Sequence, residues 1–207
     1  MTGVQTCALP IYYLLHESWK LEAGQTVLVQ AAAGGVGLLL CQWAKHIGAT
    51  VLGTVGNDEK ADYAVAHGCD HPIVYTRDDF AEKVMEITDG KGVDVVYDAI
   101  GKDTFEKGLG CVAERGRMVS YGVASGPIAP VDLRVLRPQS GSIACGGLGN
   151  FIKDPAERAR NADELFDLIA EGVLKVEINQ RYRLADVAKA HSDLAGRRTT
   201  GSSVLTI

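Results

Sequence analysis

The sequence predicts an α/β fold, a doubly wound parallel sheet of six strands, from three observations. From Leu21 onward, short β-type runs alternate with helix-length amphipathic stretches, which is typical of a sheet whose strands are joined by helices. Six such runs precede residue 150, enough for one complete sheet. The run Val93–Tyr97 is nearly all apolar, as expected for a parallel strand that is buried on both faces.

Each element follows from its own local signals. The six strands are predicted at Thr26–Gln30, Thr50–Thr54, His71–Val74, Val93–Tyr97, Arg117–Tyr121 and Ser142–Cys145. Helices are predicted at Gly35–Ile47, Asp58–His67, a stretch that ends at Thr88, and Thr104–Val112. We predict that Asp58, and either Asp78 or Asp79, cap two of these helices. Gly48 and Gly68 are predicted to end the first two.

Residues 151–207 do not continue the regular alternation of strands and helices. Behind an Asp154-Pro155 cap, we predict a helix at Ala156–Glu171, an extended segment at Val176–Leu184, a helix at Ala185–Ala195 and a terminal strand at Ser202–Ile207. A terminal strand that is short and apolar needs a sheet to join. We therefore expect residues 151–207 to be a C-terminal segment of a second, mostly missing domain.

Composition and charge exclude several classes of protein. The chain of 207 residues has 21 basic against 26 acidic side chains and a net charge of −5, which is unfavourable for binding a nucleic-acid backbone. Its longest apolar run, Val36–Cys41, is far too short to span a membrane, and we find no secretory signal. We therefore expect a soluble, cytoplasmic protein.

The cysteines and histidines are scattered, and we predict no metal site. No two of the five cysteines lie closer than 28 residues, which fits neither a disulfide framework nor a zinc knuckle. His67 and His71 are four positions apart, but Gly68 between them is expected to end the helix that would bring them to one face.

The glycine-rich turn after the first strand is the strongest functional signal. Gly34, Gly35 and Gly37 follow a strand and open a helix, where the absence of β-carbons lets a ligand approach the backbone. The free N–H groups and the dipole of a helix N-terminus attract a pyrophosphate. The pattern therefore predicts a dinucleotide-binding Rossmann sheet, with Ala32 replacing the first glycine of the usual G-x-G-x-x-G. The alternative is a tight turn that binds no ligand.

The end of the second strand favours NADPH over NADH. NAD-preferring sites place an Asp or Glu there for the ribose hydroxyls, whereas residues 54–57 read Thr-Val-Gly-Asn. The ammonium of Lys60, in the first turn of the next helix, is placed to reach a 2′-phosphate. Asp58 and Glu59 are carboxylates nearby, but acids at a helix start usually cap it and face solvent. The alternative for Lys60 is a solvated surface side chain.

Several spaced motifs together resemble one family. They are the runs Ala31–Gly37, Gln42–Lys45, Gly53–Gly56 with Lys60, Val95–Asp98 with Gly101, and Ala190–Leu205. Over residues 12–207 the chain resembles the NADPH:quinone oxidoreductases, the zinc-free, zeta-crystallin-like branch of the medium-chain dehydrogenase/reductase superfamily. The resemblance implies hydride transfer from NADPH to a quinone without a metal. It also implies a homodimer that pairs the sixth strands, Ser142–Cys145, across a twofold axis.

The resemblance further implies which residues contact the cofactor. These are Gly34, Gly35 and Val36 at the pyrophosphate with Gly37 in the same turn, Lys60 and Tyr75 at the 2′-phosphate, Tyr121 and Gly122 at the nicotinamide ribose, and Arg198 near the C-terminus. The alternatives are that Tyr75 is a half-buried turn aromatic and that Tyr121 packs in the core. No catalytic residue is predicted, because the chemistry rests mostly on the cofactor.

Two departures from the family limit the predicted activity. Family members begin with a GroES-like domain that forms the other wall of the substrate cleft, and we expect this chain to lack that domain. Met1–Ile11 resembles nothing in the family. We expect residues 1–11 to be an unrelated leader, residues 12–150 the NADP-binding domain, and residues 151–207 the segment that returns toward the absent domain. The alternative for residues 1–11 is a divergent N-terminus. Such a chain is expected to bind NADPH weakly or moderately and to reduce quinones poorly.

Two other functions stay open. An enone or alkenal reductase of the same superfamily would hold the cofactor in the same way. A non-catalytic NADPH-binding module would bind the cofactor without reducing any acceptor.

Overall fold

The structure, a computed structural model, describes residues 10–207, and its main element is a parallel sheet of six strands. The strands are β1 (Thr26–Val29), β2 (Thr50–Val55), β3 (His71–Val74), β4 (Val93–Asp98), β5 (Val112–Ser120) and β6 (Ser142–Cys145). Their spatial order is β3-β2-β1-β4-β5-β6, so the chain winds outward from β1 and then starts again on the other side at β4. This is the doubly wound topology that the sequence predicts.

Helices connect the strands. They are α1 (Tyr13–Ser18, a π-helix), α2 (Gly35–Ile47), α3 (Asp58–Val65), α4 (Phe80–Ile87), α5 (Phe105–Gly110), α6 (Leu148–Phe151) and α7 (Pro155–Ala170). Two buried clusters lie on opposite faces of the sheet, because successive strand residues point to opposite sides. In β1, Val27 and Val29 pack with Trp43 of α2 in one cluster, whereas Leu28 packs with Phe105 of α5 in the other.

The cap of α3 differs from the sequence prediction. The prediction of Asp58 is wrong, because Asn57 has the extended backbone of a cap and its side chain accepts a hydrogen bond from the backbone N–H of Lys60. Asp58 falls inside the first turn, where its carboxylate pairs with Arg77 at 3.1 Å. At α4 the cap is Asp79, one of the two predicted candidates.

β5 is longer than predicted. It begins at Val112 rather than Arg117, so the preceding helix ends at Gly110 and not at Val112. Arg115 has a φ of 62°, and the pairing of β4 with β5 shifts register between Val93 and Val95. The extra residues form a bulge, which explains why this charged, glycine-containing stretch resembles a loop in the sequence.

Residues 151–207 add a small second sheet. β7 (Ile178–Arg183) and β8 (Ser202–Thr206) pair in parallel, with α8 (Val187–Ala195) between them, so the terminal strand has a partner within the chain. Leu165 of α7 and Leu174 beyond it belong to the same buried cluster as β1. The core therefore continues past residue 150, and the predicted domain boundaries stay a prediction.

Most of the predicted leader, residues 1–9, lies outside the described residues. Ile11 is fully buried in the same cluster as Val27, and with Pro10 and Tyr12 it forms a helical turn that leads into α1. No helix among residues 10–207 is long and apolar enough to cross a membrane.

Candidate functional site

A cleft of about 870 Å³ opens at the carboxyl ends of β1, β2 and β4. The loops that follow these strands line it, together with Tyr75 after β3, one side of α8, and the turn after α8. β1 lies between β2 and β4, where the direction of winding reverses, and open α/β sheets bind their ligands at such a point. The position of the cleft alone therefore indicates a nucleotide-type site.

The glycine turn forms one wall of this cleft. Gly34 borders the cleft and caps α2 with an extended backbone, so the first N–H groups of the helix, from Gly35 and Val36 onward, have no partner within it. A β-carbon on Gly37 would overlap the carbonyl oxygen of Ala31 and lie 2.9 Å from the Cα of Ala32. Gly37 therefore lets α2 approach β1 closely and brings the positive end of its dipole to the cleft, as the sequence predicts.

Hydrogen bonds made by Thr54, the fifth residue of β2, stabilise the backbone conformation at the start of the glycine turn. The Thr54 hydroxyl accepts a hydrogen bond from the backbone N–H of Ala31 (3.1 Å) and donates one to Oε1 of Gln30 (2.6 Å). Ala31 has a φ of 57°, a left-handed conformation that costs free energy in any residue with a β-carbon. The hydrogen bond from its N–H helps to offset that cost.

Lys60 lies at the far end of the cleft, in the first turn of α3. Its Nζ donates hydrogen bonds to the backbone carbonyls of Arg197 (2.6 Å) and Thr199 (3.0 Å), in the segment after α8. The N–H of Gly201 donates to the carbonyl of Ala33 (2.9 Å), which ties the same segment to the glycine turn. Partial burial lowers the pKa of the Lys60 ammonium below its ordinary value.

Arg197 and Tyr75 complete this end of the cleft. The Arg197 guanidinium lies 5.9 Å from the centre of the Tyr75 ring and donates a hydrogen bond to the Tyr75 hydroxyl (3.3 Å). Its other nitrogen lies 3.4 Å from a carboxylate oxygen of Asp103. A β-carbon on Gly56 would lie 3.1 Å from the Tyr75 hydroxyl. The absence of a side chain at Gly56, directly after β2, therefore leaves room for the Tyr75 ring. Two cationic side chains and a phenol thus face one corner.

Arg198, the predicted arginine, is not brought to the cleft. Its guanidinium donates to Asp193 (2.9 Å) and to the carbonyl of Ser192 (3.0 Å), both in α8. Together with Lys189 and Tyr182, this contact lowers the pKa of Asp193 to about 2. The neighbouring Arg197 borders the cleft instead. Arg197 was missed because two adjacent arginines are alike in sequence, and only the backbone (φ 58° at Arg197) separates their directions.

Tyr121 and Gly122 follow β5, the strand next to β4, at the same edge of the sheet as the cleft. Tyr121 donates its backbone N–H to the carbonyl of Asp98 (2.9 Å) and packs its ring against the core, and burial raises the pKa of its hydroxyl. A β-carbon on Gly122 would lie 2.8 Å from the carbonyl oxygen of Ala99. Neither residue borders the cleft. Their contact with a cofactor stays a prediction.

Asp98, at the end of β4, is a further site residue that the sequence did not single out. It is fully buried and accepts hydrogen bonds from the N–H groups of Ile100 (2.6 Å) and Gly101 (3.1 Å) and from the hydroxyl of Thr104 (2.9 Å). Burial raises its pKa above the ordinary value in spite of these donors. Because Ile100 and Thr104 border the cleft, this carboxylate shapes the wall that faces the glycine turn.

The comparison with known proteins defines the class of this protein. A family model described as zinc-binding dehydrogenase matches residues 35–166, so the chain belongs to that family. Among residues 10–207, no group of three or more His, Cys, Asp or Glu side chains is placed to hold a metal ion.

The predicted resemblance to quinone oxidoreductases is confirmed. A quinone oxidoreductase of Pseudomonas aeruginosa is 50% identical over 98% of this chain and 63% of its own length. A 2-haloacrylate reductase of Burkholderia is 43% identical over 99% of this chain and 62% of its own length. The crystal structure of Escherichia coli quinone oxidoreductase complexed with NADPH matches with a TM-score of 0.92 and 43% identity, over 97% of this chain and 62% of that one. The chain thus spans about three fifths of the length of these relatives.

Proposed function

We propose that this chain provides the NADPH-binding part of a quinone oxidoreductase, an enzyme that transfers a hydride from NADPH to a quinone. The observation that carries the proposal is the corner of the cleft where Lys60, Arg197 and Tyr75 meet at the end of β2. Residues 54–57 carry no carboxylate there that would repel a 2′-phosphate. The E. coli relative, which is complexed with NADPH, supports this assignment.

The residues of the cleft offer partners for the pyrophosphate and the 2′-phosphate of this cofactor. Gly34, Gly35, Val36 and Gly37 would hold the pyrophosphate against the N-terminus of α2, with Gly37 allowing the close approach. Lys60 and Arg197 would hold the 2′-phosphate by charge-assisted hydrogen bonds. We propose that Tyr121 and Gly122 lie along the nicotinamide ribose. The bound nicotinamide would supply the hydride, and the chain would orient it and exclude water around it.

The proposal is tested by calorimetric titration of NADPH and NADH on four proteins: wild type, Lys60→Ala, Arg197→Ala and Arg198→Ala. We expect the first two variants to bind NADPH about tenfold more weakly or worse and NADH as wild type does, because each loses a hydrogen bond to a charged phosphate. Arg198→Ala is the matched control and should behave as wild type, because its guanidinium is held by Asp193. An unchanged preference for NADPH in both Lys60→Ala and Arg197→Ala would overturn the proposal.

A quinone is the substrate that we propose, by analogy with the relative in Pseudomonas aeruginosa. The 2-haloacrylate reductase favours a second candidate, an electron-poor alkene reduced with the same cofactor. A panel of quinones, enones and 2-haloacrylates, assayed by NADPH oxidation, separates the two, and we expect the quinones to react fastest. Binding of NADPH with no turnover of any acceptor would instead favour the non-catalytic module.

We further propose a homodimer in the cytoplasm. β6 lies at the edge of the sheet, with β5 as its one neighbour among the described strands, and a second copy could pair with Ser142–Cys145. Sedimentation that shows only monomer at high concentration would contradict the dimer. Fractionation of expressing cells tests the location, and recovery outside the cytoplasmic fraction would contradict it.

A further inference from the structure

A buried amide in the wall of the cleft has an unused donor. Gln30, which immediately follows β1, is 1% exposed and borders the cleft. Its Oε1 accepts the hydrogen bond from Thr54, but its Nε2 has no hydrogen-bond partner among residues 10–207. Buried N–H groups are almost always hydrogen-bonded in proteins, because an unpaired one loses its hydration without compensation.

The orientation of this amide follows from its neighbour. The Thr54 hydroxyl already accepts the N–H of Ala31, so its own hydrogen is free to be donated, and Oε1 of Gln30 receives it at 2.6 Å. A flipped amide would leave the Thr54 hydrogen facing an N–H group. The Nε2 group is therefore the one that is left without a partner.

No other buried side-chain atom that lacks a hydrogen-bond partner among residues 10–207 belongs to a residue that borders the cleft. Gln42, the other buried glutamine, is fully engaged: its Nε2 donates to the carbonyls of Leu38 and Lys175, and its Oε1 accepts the N–H of Lys175. The second buried side-chain atom without a partner in the described part of the chain is Nε2 of His16, which does not border the cleft. The unused donor of Gln30 is thus specific to the cleft.

We propose that Gln30 is a binding residue for the adenylate half of NADPH, donating its Nε2–H to an oxygen of the adenosine ribose or its 5′-phosphate. Gln30 lies between the glycine turn, which would take the pyrophosphate, and Thr54–Gly56, where a dinucleotide site holds the adenosine ribose. Ribose and phosphate oxygens are acceptors, which is what an unpaired N–H requires. This inference rests on the proposed NADPH site. It adds a side-chain donor to the backbone N–H groups of the glycine turn and the cationic side chains of Lys60 and Arg197.

The test is calorimetric titration of the 207-residue chain with NADPH and with 2′,5′-ADP, which contains only the adenylate half. We expect Gln30→Met to bind both ligands about tenfold more weakly than wild type, because one hydrogen bond is lost in each complex. Gln42→Met is the matched control: it removes the hydrogen bonds of a buried glutamine away from the cleft, so it should bind both ligands with wild-type affinity.

Gln30→Glu separates the lost donor from a disturbed turn. The carboxylate keeps an acceptor for Thr54 but presents a second acceptor to the ligand, and protonation turns that oxygen into a donor. We expect the affinity of the variant for 2′,5′-ADP, relative to wild type at the same pH, to recover at least fivefold as the pH falls from 8 to 5.

Three results would overturn the inference. The first is wild-type affinity for both ligands in Gln30→Met. The second is a Gln30→Met variant with reduced affinity for NADPH but unchanged affinity for 2′,5′-ADP. The third is an affinity of Gln30→Glu for 2′,5′-ADP, relative to wild type, that does not change with pH. Each leaves the proposed NADPH site intact as long as the wild type binds NADPH. A wild-type chain that does not bind NADPH would overturn both.

Discussion

Gly37→Ala is expected to destabilise the protein by forcing α2 away from β1. A β-carbon at this position would overlap the carbonyl oxygen of Ala31 and lie 2.9 Å from Cα of Ala32 and 3.0 Å from the carbonyl carbon of Ala31. All three obstacles are backbone atoms, so no side chain can rotate to make room. We therefore place the loss of stability at the upper end of the range for overpacking, about 3 kcal/mol.

This loss is measurable as a melting temperature. A chain of this size loses about 2–4 °C per kcal/mol, so Tm should fall by about 6–12 °C. Gly110→Ala is the matched control, because Gly110 is exposed and a β-carbon there would meet nothing within 4 Å. The control should melt within about 2 °C of wild type, since alanine is favoured over glycine in a helix. A Gly37→Ala protein that melts with the control would refute the argument for close packing at the turn.

Three further predictions concern single carboxylates and a thiol. The pKa of Asp193 is lowered from 3.8 to about 2, so its contacts stabilise the protein fully above pH 3.8 and this stabilisation is lost as the pH falls toward 2. The urea concentration at the unfolding midpoint should therefore decrease over that pH range in the wild type, and it should decrease less in Asp193→Asn. Asp98→Ala should lower stability by about 1–3 kcal/mol in urea denaturation, because the N–H groups of Ile100 and Gly101 would lose their acceptor, and Thr104→Val should cost less, because it removes one donor and leaves that acceptor in place. An Asp98→Ala variant no less stable than Thr104→Val would contradict this. In a Cys7→Ser background, Cys145→Ser should remove the fast-reacting thiol, because Cys145 is exposed and the other described cysteines are buried; unchanged rapid labelling would contradict it.

Much of the sheet could be predicted from the sequence because its strands are nearly continuous apolar runs with helix signals between them. Buried parallel strands need such runs, and the order of a doubly wound sheet then follows from the chain. The start of β5 could not be predicted, because Arg115 and the bulge around it interrupt the apolar pattern. The predicted cap of α3 was wrong for a different reason: Asn and Asp are both favourable at a helix N-cap, and only the backbone conformation selects Asn57 over Asp58.

The candidate site could be predicted where it depends on strand ends. The carboxyl ends of parallel strands meet at one edge, so a glycine turn after β1 and Lys60 after β2 fall beside each other. Contacts between distant segments carried no such signal. The pairing of Gln30 with Thr54 joins two strands, and the direction of Arg197 is set by a left-handed residue after α8. Polar residues at strand ends, such as Gln30, are the signal that could have pointed to the former.

The preference of the wild-type chain for NADPH over NADH tests the central claim most directly. It is obtained by calorimetric titration of both cofactors at low ionic strength, where the charges of Lys60 and Arg197 are least screened. We predict that NADPH binds at least tenfold more tightly, because the 2′-phosphate gains charge-assisted hydrogen bonds that NADH cannot make. Equal affinity for the two cofactors would contradict the account.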